Sequence, residues 1–152
     1  MRNVLSADDR LGARDALLRF ATGTDNGDAV LIRSAFTSDA VVDFGPCGEK
    51  LGLPFQSIAG SDAIVGFLAG TCKHQITSHV VTNVRVEDTE AGVTMRALVE
   101  ATHIDRSDQT RRFRMLDPYA ANLTKHEGHW WIERLKIDNI WFEGDPQILL
   151  CR

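Results

Sequence analysis

Apolar residues in this chain change rhythm near Lys73. Upstream they recur every three or four positions, the period of an amphipathic helix; downstream they alternate, the period of a half-buried strand. Ser6-x-x-Asp9 opens the first helical stretch as a relative of the capping box. Ala13, Ala16, Leu17, Phe20 and Ala21 then form one face, which predicts a helix ending near Thr22-Gly23. A short helix is predicted over residues 29–36, a strand over 40–44, and a Gly/Pro-rich loop over 45–54. Ile58-Ala59-Gly60-Ser61-Asp62 introduces a third helix, with Ser61 or Asp62 as cap and Ile64, Val65, Phe67 and Leu68 as its stripe. Four strands follow, over residues 77–87, 93–105, 110–125 and 130–140. Pro118 points to a bulge or an edge position in the third of them. Helices first and a long meander afterwards predict an α+β domain spanning residues 1–152. Its curved antiparallel sheet would form a cone around three N-terminal helices, with a pocket in the hollow.

Composition narrows the function classes. At 152 residues the chain suits one domain with a real core. The apolar share of 43% and charged share of 25% are ordinary for a globular protein. A formal charge of −4 gives no reason to expect a nucleic-acid partner. No apolar run approaches a membrane span, and no membrane partner is expected. The opening Met1-Arg2-Asn3-Val4-Leu5 is too polar for a signal peptide. Cys47, Cys72 and Cys151 are odd in number and lack metal-ligand spacing. Free thiols, a reducing cytoplasmic setting and no metal or other cofactor are therefore expected.

The candidate chemistry centres on Ile76-Thr77-Ser78-His79-Val80-Val81-Thr82-Asn83. Its β-branched residues read as a strand, so His79, Val81 and Asn83 share one face. A single imidazole on a rigid, apolar face suits general acid–base work, and a structural histidine is the commoner outcome for such a position. Asp25 follows the first helix, where the helix dipole does not favour a negative charge. A distant cationic partner would explain it, as would a turn-forming role beside Asn26-Gly27-Asp28. His103 is the other histidine within a strand. Asn122 shares a face with Ala120 and Thr124, and an isolated asparagine there also fits a hydrogen-bonded core amide.

The order of these segments resembles the SnoaL-like branch of the nuclear-transport-factor-2-like proteins. The likeness is carried by Thr24-Asp25, Ser38-Asp39-Ala40-Val41-Val42-Asp43-Phe44, Ile58-Ala59-Gly60-Ser61-Asp62-Ala63-Ile64, Thr77-Ser78-His79-Val80-Val81-Thr82-Asn83 and Gly128-His129-Trp130-Trp131-Ile132. Within the branch the chain is most similar to the scytalone dehydratases, and it also looks like the hexachlorocyclohexane dehydrochlorinases. That resemblance implies a His–Asp pair at His79 and Asp25, a second histidine at His103 and an asparagine at Asn122. It implies a cofactor-independent lyase or isomerase acting on a small, apolar, cyclic carbonyl compound. Phe44, Val81, Phe67, Ala120 and Trp141 would then contact the substrate. Separately, the apolar density of Trp141, Phe142 and Ile148-Leu149-Leu150 near the terminus predicts a lid over the pocket mouth. The two tyrosines of the dehydratase pattern are replaced by Thr24 and Phe44, and the one tyrosine, Tyr119, alternates to the face opposite Asn122.

Two other readings stay open. An epoxide hydrolase of this fold would need an Asp–Arg–Asp arrangement, for which Arg85, Arg96 and Arg114 are the strand arginines available. A non-catalytic ligand-binding or dimerisation module would need neither. A homo-oligomer, dimer or trimer, is expected, with Trp130 or Trp131 and Arg112 or Arg114 as interface candidates.

Overall fold

The computed structural model describes residues 4–151. Met1, Arg2 and Asn3, which contribute to the polar start noted above, lie outside that range, as does Arg152.

Helix α1 (Ala7–Asn26) opens with a capping box: Ser6 Oγ accepts from the Asp9 N–H at 3.0 Å, and the Asp9 carboxylate accepts from the Ser6 N–H at 3.4 Å. The helix runs one turn further than its apolar stripe predicts. Gly27 ends it in the left-handed region (φ 64°), donating to the carbonyls of Gly23 and Thr24. Asp25 therefore sits inside the last turn rather than beyond it. Helix α2 (Ala29–Arg33) is capped by Asp28, and Phe36 already belongs to strand β1 (Phe36–Asp43). Residues 45–54, expected as a loop, contain helix α3 (Gly45–Leu51). Pro46 lies in its first turn, where a missing N–H costs nothing, and Cys47 and Leu51, four residues apart, face the core. Strand β2 (Ser57–Ala59) precedes α4 (Ser61–Thr71), whose cap is Gly60.

Strands β3 (Gln75–Thr89), β4 (Gly92–Asp105), β5 (Arg112–His126) and β6 (His129–Ile137) form the long meander. The sheet order is β2-β1-β6-β5-β4-β3; β1 and β6 run parallel and the other pairs antiparallel. Register shifts at Thr82/Arg85 and at Asn122/Leu123 mark bulges, which bend and twist the sheet around α1. Asn83 takes φ 53° at the first of them, a conformation asparagine tolerates. The bulge also breaks the alternation, so Asn83 is exposed and does not share the inner face with His79 and Val81.

The inner face, with Val99, Ala101, Phe113, Ile132 and Leu135 at 1% exposure or less, packs on Ala13, Ala16, Leu17 and Phe20 of α1. Strand β7 (Trp141–Gly144) pairs with β5 after β6 has left it, and a 3-10 helix (Pro146–Leu150) follows. Pro118 is not on an edge strand. It lies where β5 changes partner from β6 to β7, beside the crossover at residues 138–140. The segregated helices and bent, mostly antiparallel sheet are those of the nuclear-transport-factor-2-like fold. No helix among the described residues is long and apolar enough to cross a membrane.

Candidate active site

The bent sheet leaves a hollow against α1, α3 and α4. Its cavity volume is about 60 Å³. Phe44, Phe55 and Phe67 build one wall, with ring centroids 5.3–6.4 Å apart. Thr24, His79, His103, Asp117 and Tyr119 bring polar groups to the rest. A mostly apolar cleft with a few convergent polar groups is the usual form of a small-ligand site.

Asp25 and His79, 54 positions apart in the chain, meet here. Asp25 Oδ1 lies 2.6 Å from His79 Nδ1 and accepts from Thr77 Oγ1 at 2.8 Å, while Oδ2 accepts from the His79 N–H at 2.9 Å. Every partner of the carboxylate is a donor, so His79 Nδ1 carries the proton in the neutral ring and Nε2 is left bare. The His79 side chain is 6% exposed and that of Asp25 24%. Burial pulls the Asp25 carboxyl upward, but the hydrogen bonds and charge of His79, with Thr77, outweigh it and hold the group below the usual carboxylate range. Because the folded state depresses this acidity constant, the stability Asp25 contributes is present above about pH 4 and is lost as pH falls through its lower folded value. Asp25→Asn is expected to remove that acid-side loss, which denaturant titrations between pH 2 and 5 would measure.

His103 stands beside His79, ring centroids 5.7 Å apart and nearly perpendicular. Its Nδ1 lies 2.7 Å from Gln75 Oε1, and Gln75 Nε2 donates to the Cys151 carbonyl at 2.9 Å. A backbone carbonyl can only accept, which fixes the Gln75 amide and makes His103 Nδ1 the donor. The C-terminal tail thus sets the His103 tautomer from outside the hollow. Truncation after Asp145 is expected to destabilise the fold and uncover the hollow, since Ile148 and Leu149 are buried and Leu149 lines it. Increased dye binding by the truncated chain would register this; unchanged dye binding and melting temperature would contradict it.

Several expected contacts do not form. Asn122 and Ala120 lie on the outer face of β5, in a groove with Arg85, Thr94 and Arg96. The odd-numbered residues Phe113, Met115, Asp117, Tyr119, Ala121 and Leu123 are the buried set on that strand, so the even-numbered ones cannot reach the hollow. Trp141 is also outside, 36% exposed, under the Arg114 guanidinium at 5.4 Å; Leu149 takes the place expected for it. Phe142 is exposed too, its ring 5.8 Å from that of Phe113. Val81 shares the inner face with His79 but packs into the core without lining the hollow, whereas Phe44 and Phe67 line it. Arg85, Arg96 and Arg114 are all outside it, which removes the Asp–Arg–Asp arrangement.

Asp117 is the residue the sequence reading missed. It is fully buried on β5. Asn139, from the β6–β7 crossover, donates to its Oδ1 at 2.9 Å, and Oδ2 has no hydrogen-bond partner among the described residues. Burial pushes its carboxyl up to about 7, against the opposing pull of the Asn139 hydrogen bond and of His79. Two carboxyls at this site, Asp25 hydrogen-bonded to His79 and Asp117 lining the hollow, are thus driven in opposite directions, a pattern that separates acid from base roles in active sites. Burial also pushes the Tyr119 phenol well above its usual value and the Cys47 thiol to about 12, so both keep their protons. A buried, protonated Cys47 is a poor nucleophile.

The SnoaL-like domain family matches residues 6–136, most of the chain. The terrestric acid biosynthesis cluster protein E of Penicillium crustosum is 31% identical over 144 residues, covering 90% of this chain and 86% of that one. The chain belongs to the SnoaL-like domain family. Among solved structures, this SnoaL-like protein is similar to a proposed aromatic ring hydroxylase from Novosphingobium aromaticivorans (TM-score 0.81, 22% identity, 95% of this chain and 98% of that one). A proposed scytalone dehydratase from the same organism gives 0.75 at 17% identity, covering 89% and 86%. The hexachlorocyclohexane dehydrochlorinase LinA-type3 of Novosphingobium barchaimii gives 0.73 at 16% identity, covering 90% of each chain. At these identities the structural likeness establishes the fold alone.

Proposed function

We propose that this SnoaL-like protein is a cofactor-independent lyase or isomerase that removes a proton beside the carbonyl of a small, cyclic, apolar substrate. The observation that carries the reading is the 2.6 Å contact between His79 Nδ1 and the Asp25 carboxylate at the wall of an apolar hollow. Asp25 fixes the tautomer and stabilises the imidazolium, so the bare Nε2 acts as base. With a β-hydroxyketone, Nε2 takes the proton from the carbon between the two functions. The C–H electron pair passes into the carbonyl, its return breaks the C–O bond and leaves the new double bond, and the proton goes to the departing hydroxide to give water. A proposed scytalone dehydratase and a hexachlorocyclohexane dehydrochlorinase share this fold, so elimination is a chemistry the fold can carry.

A bicyclic aromatic ketone matches the apolar character of the three-phenylalanine wall. 3-Hydroxy-1-tetralone loses water to give 1-naphthol, which absorbance follows directly, and 2-tetralone reports proton abstraction alone through deuterium uptake in D2O. The protein is expected to accelerate both. Asp25→Asn should retain the base but lose its support, lowering the rates by about tenfold or more. A protein that binds 2-tetralone yet leaves its exchange at the buffer rate would be a binding module, and the proposal would fall.

A further inference from the structure

The mechanism above uses Asp25, His79 and the apolar wall, and it leaves the buried Asp117 without a task. Asn139 Nδ2 donates both to Asp117 Oδ1 and to the Trp141 carbonyl, each at 2.9 Å. The carbonyl can only accept, so the amide orientation is settled and Asp117 Oδ1 must be an acceptor. A proton on this carboxyl therefore sits on Oδ2, the oxygen without a partner among the described residues. An ionised Oδ2 buried there would lack any donor, a costly state; a protonated one would be a donor waiting for an acceptor. Asp117 lines the same hollow as His79 but stands on β5, with β4 between them. At the levels of the two groups β4 contributes only Ala101, paired with His79, and Val99, paired with Asp117. No large side chain of β4 stands at either of these two levels, and His103 and Met115 flank them in the same hollow.

We infer that Asp117 is the acid of this site: it carries its proton on Oδ2 and donates it to the carbonyl oxygen of the substrate while His79 takes the neighbouring C–H proton. The inference rests on the reading of His79 as base. In the first step the C–H pair becomes a C=C bond and the carbonyl π pair moves to oxygen, which takes the Asp117 proton. An enol, an imidazolium and a carboxylate result. In the second step the enol proton returns to Asp117 as the carbonyl re-forms. The displaced pair makes the ring double bond, and the β-hydroxyl leaves with the His79 proton as water. Nothing enters but substrate, and both residues end as they began. Asn139 is the positioning residue that aims the carboxyl.

The groups that face Asp117 are His79 from β3, Tyr119 on β5, Cys47 from α3, and Asp138 and Asn139 from the crossover; Asp138 is itself paired with Lys50 at 2.8 Å. Tyr119 and Cys47 stay protonated well above neutrality, and the Lys50 pairing holds Asp138 below the usual range.

The test is deuterium exchange of 2-tetralone and its binding, each followed from pH 5 to 9, in wild type, Asp117→Asn, Asp117→Leu and His79→Ala. Wild-type exchange is expected to fall, and the dissociation constant for 2-tetralone to rise, as pH passes through about 7. Asp117→Asn keeps a donor without a transferable proton. It should exchange about tenfold more slowly, with no such change in rate or binding near pH 7. Asp117→Leu should lose about 10²–10³-fold. A purely structural Asp117 predicts instead that Asp117→Asn keeps the wild-type rate and pH profile, which would overturn the inference. If His79→Ala also exchanges at the wild-type rate, the dyad reading fails with it; if His79→Ala is dead while Asp117→Asn is unaffected, only the role of Asp117 is lost.

Discussion

Replacing His79 by alanine is expected to lower the rate of 1-naphthol formation from 3-hydroxy-1-tetralone by about 10²–10⁴-fold, while circular dichroism and the melting temperature stay close to wild type. The fold should survive because the imidazole packs at the wall of the hollow, between Phe20 and His103, and no backbone pairing depends on it. Asp25 keeps two of its donors in the variant, Thr77 Oγ1 and the backbone N–H of residue 79. What disappears is the one nitrogen that is both oriented by a carboxylate and open to the hollow. Retained activity would assign the chemistry elsewhere.

The second large effect concerns stability, and it runs opposite to activity. Asp117 titrates near 7 in the folded protein and near 4 when unfolded, so the folded state binds the extra proton between those values. Stability should therefore fall as pH rises from about 4 to 7 and stay at the lower level above that. The linked change is at most roughly 4 kcal/mol. Asp117→Asn has the same shape and no proton to lose. Relative to wild type it should gain stability over that window, and the gain should be full above pH 7 and absent near pH 4. Urea titrations across pH 4–8 would show it. A variant more stable and less active than wild type is the pattern expected when a costly buried group is retained for function. Parallel stability curves for the two proteins would show that Asp117 is ionised, or solvated, throughout.

Much of the architecture follows from periodicity, because long runs with one buried face leave little choice of element. The meander after Lys73, the amphipathic first helix and its capping box all come from such runs. Helix α3 is hidden by Gly45 and Pro46, which read as turn formers although proline at a helix start is favourable. Asp25 and His79 each stand out singly, as an acid at the wrong end of a helix and an imidazole on an apolar strand face; their pairing is what the family resemblance implies. The phase of β5 follows the resemblance, which sets Asn122 and Ala120 inside, and small residues on both faces near Ala120 and Ala121 offer little to oppose it. Weighing Phe113, Met115, Tyr119 and Leu123 against Leu116, Asn122 and Thr124 favours the odd-numbered face. It would have put Asp117 and Tyr119 inside and Asn122 outside. An aspartate alternating with large apolar residues was the signal available. Trp141 was misplaced for another reason: β7 is only four residues long, all exposed, and carries no alternation to read.

The central claim is that Asp25 holds His79 as the Nδ1–H tautomer with a bare Nε2 facing the hollow. Nitrogen-15 spectra of the histidine-labelled protein, with His79 assigned through His79→Gln, measure this directly. At a pH where the ring is neutral, His79 should show a protonated Nδ1 and an unprotonated Nε2, and Asp25→Asn should disturb that preference. A His79 ring protonated on Nε2, with its Nδ1 bare beside Asp25, would contradict the account.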